Sequence, residues 1–192
     1  MSGSNNLKMN VTTGLCVLYL ICVCLCAAGA CYSHAPGEHL LFDFESDSEL
    51  GNLQWKCHTL YSLSETYATH GKKSLKLELY PSDFPGFRPV LTEKDWSSYR
   101  ALCFDMYNPE HEDVTIRVII SDRTDYPEGA DWFTMKYALH PGMNQITIPL
   151  QTLKTIKTNR KLELWNTCSL TIFMSHPARR YIFYIDYMRL VE

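Results

Sequence analysis

From residue 40 onward, apolar and polar residues alternate with a period of two along most of the chain. Leu75, Leu77 and Leu79 alternate with Lys76 and Glu78; Leu102, Phe104 and Met106 follow, then Val114, Ile116, Val118 and Ile120. Phe133, Met135, Tyr137 and Leu139 repeat the pattern, as do Ile146 with Ile148 and Leu170 with Ile172. A strand sends successive side chains to opposite faces, so each run predicts a strand with one face in a core. Turn chemistry separates the runs at Tyr107-Asn108-Pro109-Glu110, Asp125-Tyr126-Pro127-Glu128-Gly129 and His140-Pro141-Gly142-Met143-Asn144. Helical character is confined to two candidate single turns, Glu93 to Ser98 and Pro149 to Thr155. With a strand at each end, about eight or nine strands predict an all-β fold, an antiparallel β-sandwich of the jelly-roll type.

The last strand breaks its own pattern. By alternation Ile182, Tyr184, Met188 and Leu190 share one side, and Asp186 interrupts that row. A carboxylate among core-facing neighbours is costly unless something pairs with it. The first strand, Leu40-Leu41-Phe42-Asp43-Phe44-Glu45, is interrupted by acids in the same way. Laid side by side, the two strands bring two or three carboxylates together, which is the oxygen-rich, negative setting that calcium requires. The alternative is that Asp186 pairs with Lys72, Lys73 or Arg189 and no metal binds.

Composition changes the picture mainly at the N-terminus. Gly14 to Ala30 is an uncharged run of 17 apolar and small residues, ending in Ala28-Gly29-Ala30 before Cys31. This predicts an export leader over residues 1–30, a tether over 31–39 and one sandwich domain over 40–192. Small residues ahead of a Cys resemble the bacterial lipobox, whose Cys carries the lipid, although Ala28 stands where that motif usually has Leu. A plain cleaved signal and an uncleaved anchor, near the lower limit of spanning length, are the alternatives. All three place the domain outside the cytoplasm, secreted or held at a cell envelope. Beyond Cys31 only Cys57, Cys103 and Cys168 remain, which allows one internal disulfide at most or three free thiols. Without Lys8, 17 basic residues face 21 acids, and with no basic block nothing suggests nucleic acid as a partner.

Several phrases in order then carry a resemblance: Phe42-Asp43-Phe44-Glu45, Thr69-His70-Gly71-Lys72-Lys73-Ser74-Leu75, Asp95-Trp96-Ser97-Ser98-Tyr99, Leu102-Cys103-Phe104-Asp105, Leu139-His140-Pro141-Gly142-Met143-Asn144 and Tyr184-Ile185-Asp186-Tyr187. Together they resemble carbohydrate-binding modules of the galactose-binding-like jelly-roll superfamily. The resemblance implies a structural calcium joining the first and last strands. It implies Glu45 and Asp186 as side-chain ligands, Asp43 as a supplement, and carbonyls near Gly71 and Lys72 as backbone donors. Trp96, in a segment that looks fold-setting and leads into the next strand, is expected in the core.

A sugar ring has an apolar C–H face and a hydroxyl rim, so its binding surface needs flat aromatics beside hydrogen-bonding groups. Opposite the apolar row of residues 102 to 121 stand Cys103, Asp105, Tyr107, Thr115, Arg117, Ile119 and Ser121, and the neighbouring strand offers Trp132, Thr134 and Lys136. Tyr107, Arg117, Trp132 and Lys136 are therefore expected on one outer face, with Asp122, Arg123, Asp125 and Tyr126 at its rim. The structural alternative caps the sandwich edge with Tyr107 and Trp132 and pairs Arg117 with Asp105 across strands. No Gly-x-Ser-x-Gly elbow, His-Glu-x-x-His or phosphate-binding glycine loop is present, and no two His stand at metal-ligand spacing on one element. The expectation is non-catalytic binding of a polysaccharide or other glycan by an exported, membrane-tethered module. The alternative is an envelope structural or protein-interaction domain using the same fold.

Overall fold

The alternating runs fold as strands because only a pleated chain can bury every second side chain. In the computed structural model, which describes residues 37–54, 57–125 and 131–192, ten strands follow in chain order. They are β1 (Glu38–Phe42), β2 (Thr59–Ser64), β3 (Ser74–Leu79), β4 (Gly86–Phe87), β5 (Ala101–Asn108), β6 (Val114–Ser121), β7 (Phe133–Leu139), β8 (Gly142–Pro149), β9 (Ser169–Phe173) and β10 (Tyr181–Val191). A single turn of helix, α1 (Asp47–Leu50), follows β1. One sheet runs β2-β3-β10-β5-β8 with β1 also on β10, and the other runs β4-β9-β6-β7. Their inner faces enclose a core that includes Leu75, Leu77, Phe104, Phe183 and Ile185 from the first sheet, and Ile116, Val118, Ile120 and Leu170 from the second.

β10 organises the larger sheet. One edge pairs with β5; the other takes β3 along Tyr181 to Ile185 and then β1 along Met188 to Val191. The phase expected for its first half is corrected here. Phe183 and Ile185 are buried, not Ile182 and Tyr184, whereas Met188 and Leu190 are buried as expected. The register slips between Asp186 and Arg189, and Tyr187 takes left-handed backbone at φ 51°. Such a bulge adds one residue and reverses which parity faces the core. Past β10, the Glu192 N–H donates to the Gly37 carbonyl at 2.9 Å.

Trp96 is fully buried, and its indole donates to the Glu93 carbonyl at 3.0 Å. The helical turn expected around it does not form, because the Trp96 amide bonds instead to the distant Leu164 carbonyl at 2.8 Å. The other expected turn is a short 3-10 segment, Leu150–Thr152. Cys57, Cys103 and Cys168 are free thiols, each half-buried. Among the described residues no helix is long and apolar enough to cross a membrane. The leader, Cys31 and Tyr126 lie outside the described residues.

Candidate functional site

The outward residues of β9, β6 and β7 line up in rows across the four-stranded sheet. Register sets Arg117 between Phe173 and Lys136, and Ile119 between Thr171 and Thr134. Trp132 stands one residue ahead of β7. At the other edge, β4 lies so close to β9 that a Cβ on Gly86 would collide with the Ile172 carbonyl, and only glycine fits there. This close approach sets Phe84 edge-on to Phe173, ring centroids 5.8 Å apart. It also lets Arg88 Nε donate to Thr171 Oγ1 at 3.0 Å.

These side chains bound two hollows of about 470 and 430 Å³ that share Arg88, Ile119 and Trp132, so the sheet carries one open groove across its strands. Phe84, Phe173 and Ile156 supply apolar surface at one end, with Arg117, Thr134 and Thr171 among them. Ser121, Arg123, Ser169 and Gln54 supply polar groups at the other. Flat apolar surface interleaved with fixed donors suits a ligand with both apolar faces and hydroxyl rims.

Of the residues expected to act together, Arg117, Trp132 and Arg123 line this groove, and Lys136 stands exposed opposite Arg117. Asp125 is exposed in the loop after β6. Asp122 is not at the rim: it is fully buried and accepts from Arg160 on both oxygens, at 2.5 and 2.8 Å. Burial would raise its pKa, but the Arg160 bonds and the Glu163 amide outweigh that and hold the carboxyl below its ordinary range. Tyr107 belongs to the other sheet, on the outer face of β5, stacked on Tyr67 with centroids 3.6 Å apart and planes at 11°. The single outer face expected from β5 and β6 is thus two opposite faces, and Arg117 does not meet Asp105. Alternation assigns a residue to a side of its strand but cannot say which sheet the strand joins.

Phe84, Arg88, Ile156, Thr171 and Phe173 were not singled out in the sequence. Thr171 and Phe173 follow from the phase of Leu170 and Ile172. Phe84 and Arg88 sit in a stretch without alternation, Pro81-Ser82-Asp83-Phe84-Pro85-Gly86-Phe87-Arg88-Pro89, where two aromatics among proline and glycine are the available signal.

The turn before β3 does meet Glu45 and Asp186, but through its N–H groups. Asp186 Oδ2 accepts from the Thr69 and His70 amides at 2.6 and 2.9 Å, and Oδ1 accepts from the Tyr187 amide at 2.7 Å. Glu45 Oε1 accepts from the Lys72 and Lys73 amides, both at 2.7 Å, across Gly71 at φ 69°, where any Cβ would strike the Glu45 carboxylate. Asp43 lies 3.6 Å from His70 Nδ1, and Arg189 reaches Glu38. Burial pushes the Asp186 carboxyl above its ordinary range against the pull of the His70, Thr69 and Tyr187 amides. Among the described residues no group of three or more His, Cys, Asp or Glu is placed to hold a metal. One oxygen of each carboxylate, Glu45 Oε1 and Asp186 Oδ2, is thus occupied by backbone amides, which meet part of the demand that the implied calcium would meet. The lysine and arginine pairings weighed for Asp186 are not made either; backbone amides take their place.

No protein-family model matches the chain, and no curated protein matches it. Solved structures do. A family 11 carbohydrate-binding module from Clostridium thermocellum, in complex with a β-1,3-1,4-mixed-linked tetrasaccharide, superposes with a TM-score of 0.61 at 17% identity, covering 82% of this chain and 97% of that one. The domain has the jelly-roll fold of that module. A family 30 module of a cellulosomal cellulase from the same organism superposes on this jelly roll with a TM-score of 0.50 at 17% identity, covering 73% and 86% of the two chains. An exo-β-agarase shares it over 79% of this chain and 25% of its own, with a TM-score of 0.62 at 18% identity. At these identities the likeness is one of fold.

Proposed function

We propose that this jelly roll binds a polysaccharide chain, without catalysis, in the groove across β9, β6 and β7. The observation that carries the reading is the groove itself: Trp132, Phe84 and Phe173 offer ring faces and edges, with Arg, Thr and Ser side chains set between them on rigid strands. A groove open along its length suits a polymer, which enters from the side and continues past both ends. Support also comes from the folds it resembles, one of them solved with a tetrasaccharide bound. The leader supports export, and a lipid on Cys31 would hold the module at an envelope surface where it retains or displays polysaccharide.

A glycan array probed with the protein and with Trp132→Ala tests this. The expected result is retention on one glycan class, lost by about tenfold in the variant, since an aromatic contact contributes on the order of 0.5–1.5 kcal/mol beyond its area burial. An array left blank by a folded protein would overturn the reading and favour contact with an envelope protein.

A further inference from the structure

We propose that the ligand is an acidic polysaccharide, one carrying carboxylate or sulfate groups along its chain; this rests on the glycan-binding reading and names its substrate class. The chain as a whole is acidic, with a net charge of −3. Its groove is not. Arg88, Arg117 and Arg123 line it, and no Asp or Glu does among the described residues. Asp122, adjacent to Arg123, is buried against Arg160, and Asp125 lies outside the lining.

The three guanidinium groups differ in how they are satisfied. Arg123 is compensated by Glu163, 3.0 Å away. Arg88 spends one N–H on the neutral Thr171 hydroxyl. The guanidinium of Arg117, half-buried at the centre of the sheet, makes no hydrogen bond or ion pair among the described residues, and the residue directly opposite on β7 is Lys136. Like charges facing each other across a ladder destabilise a sheet, so the fold alone gives no reason for this pair. A partly desolvated cation without a counterion is also costly. Neutral hydroxyls leave both costs standing. An anionic group on the ligand removes them, and carboxylate and sulfate each match the planar fork of an arginine.

The test uses the full-length protein in a mild nonionic detergent. Its probes are polygalacturonate, the same polymer after carboxyl reduction, κ-carrageenan, and the same polymer after desulfation. Affinity electrophoresis or calorimetry would be run from about 50 to about 500 mM NaCl, the range over which exposed charges become screened. The expected result is binding at least about tenfold tighter to one acidic polymer than to its neutralised partner, weakening as salt rises. Arg117→Gln and Arg88→Gln should each lose about tenfold on the acidic polymer and leave the neutral partner unchanged. The acidic polymer that binds distinguishes carboxylate from sulfate. Equal binding to charged and neutralised partners, or no loss in either variant with its melting temperature intact, would overturn the charge assignment and leave glycan binding standing. Absence of binding to all four polymers together with a blank array would remove both.

Discussion

Asp122 is a buried carboxylate whose negative charge is met on both oxygens by Arg160, while Arg160 Nε also approaches Asp131 Oδ2 at 3.4 Å. Asp131 in turn accepts from the Thr158 hydroxyl at 2.6 Å and from the Lys157 and Thr158 amides, so that the loop after β8 is tied to the segment entering β7 as well as to the end of β6. Burial opposes ionisation of both acids, but these donors prevail and hold each below its ordinary range. An acid with a depressed folded pKa stabilises the protein above its unfolded value, and that contribution is lost as pH falls through the folded value. Asp122→Asn should therefore cost about 3–5 kcal/mol at pH 7, the range for breaking a buried ion pair. Its deficit relative to the parent should shrink only once pH drops below about 4. Denaturant unfolding of both proteins from neutral pH downward measures this; a deficit independent of pH would contradict it. In the sequence Asp122 was indistinguishable from a rim residue, because its partner Arg160 is distant along the chain and follows no periodicity.

At the level of elements, the end of β1, the turn before β3 and the bulge of β10 meet where the carboxylates of Glu45 and Asp186 collect backbone N–H groups. Several aligned amides meet the charge of each acid, although at Asp186 burial still outweighs them, and on this account the amides close the sandwich there. Removing calcium with excess chelator, or adding millimolar calcium, should leave the melting temperature unchanged within about 1 °C; a rise on the scale of ligand-linked stabilisation would refute the amide account. Eight of the strands were legible because alternation marks at least part of each. β2 was not, since Leu60 points outward at 61% exposure and blurs its alternation. β4, two residues long, has no pattern to read. The bulge at Tyr187 was equally hidden, since it depends on β10 serving two partners along one edge. Glu45 and Asp186 were correctly seen as demanding partners, but the identity of those partners lay in backbone groups that carry no letter in a sequence.

For the whole molecule, the groove is a property of the sheet, assembled from β9, β6, β7 and the segment carrying Phe84 and Arg88. Arg117, Arg123 and Trp132 were legible as outward-facing residues, whereas their separation from Tyr107 required knowing which strands share a sheet. The hydrogen bond between Gly37 and Glu192 places the two ends of the described domain side by side, and Gly142, at φ 92°, has no heavy atom within 4 Å of where a Cβ would be. The order in which the strands are synthesised is therefore separable from the way they pack. A circular permutant that joins residue 192 to residue 37 through a few glycines and opens between Pro141 and Gly142 should fold and keep the groove. Its melting temperature and glycan retention, compared with the parent's, measure this. Loss of folding would mean that the native chain order is itself required, and success would allow the groove to be presented from a chain end on the far side of the β7–β8 turn.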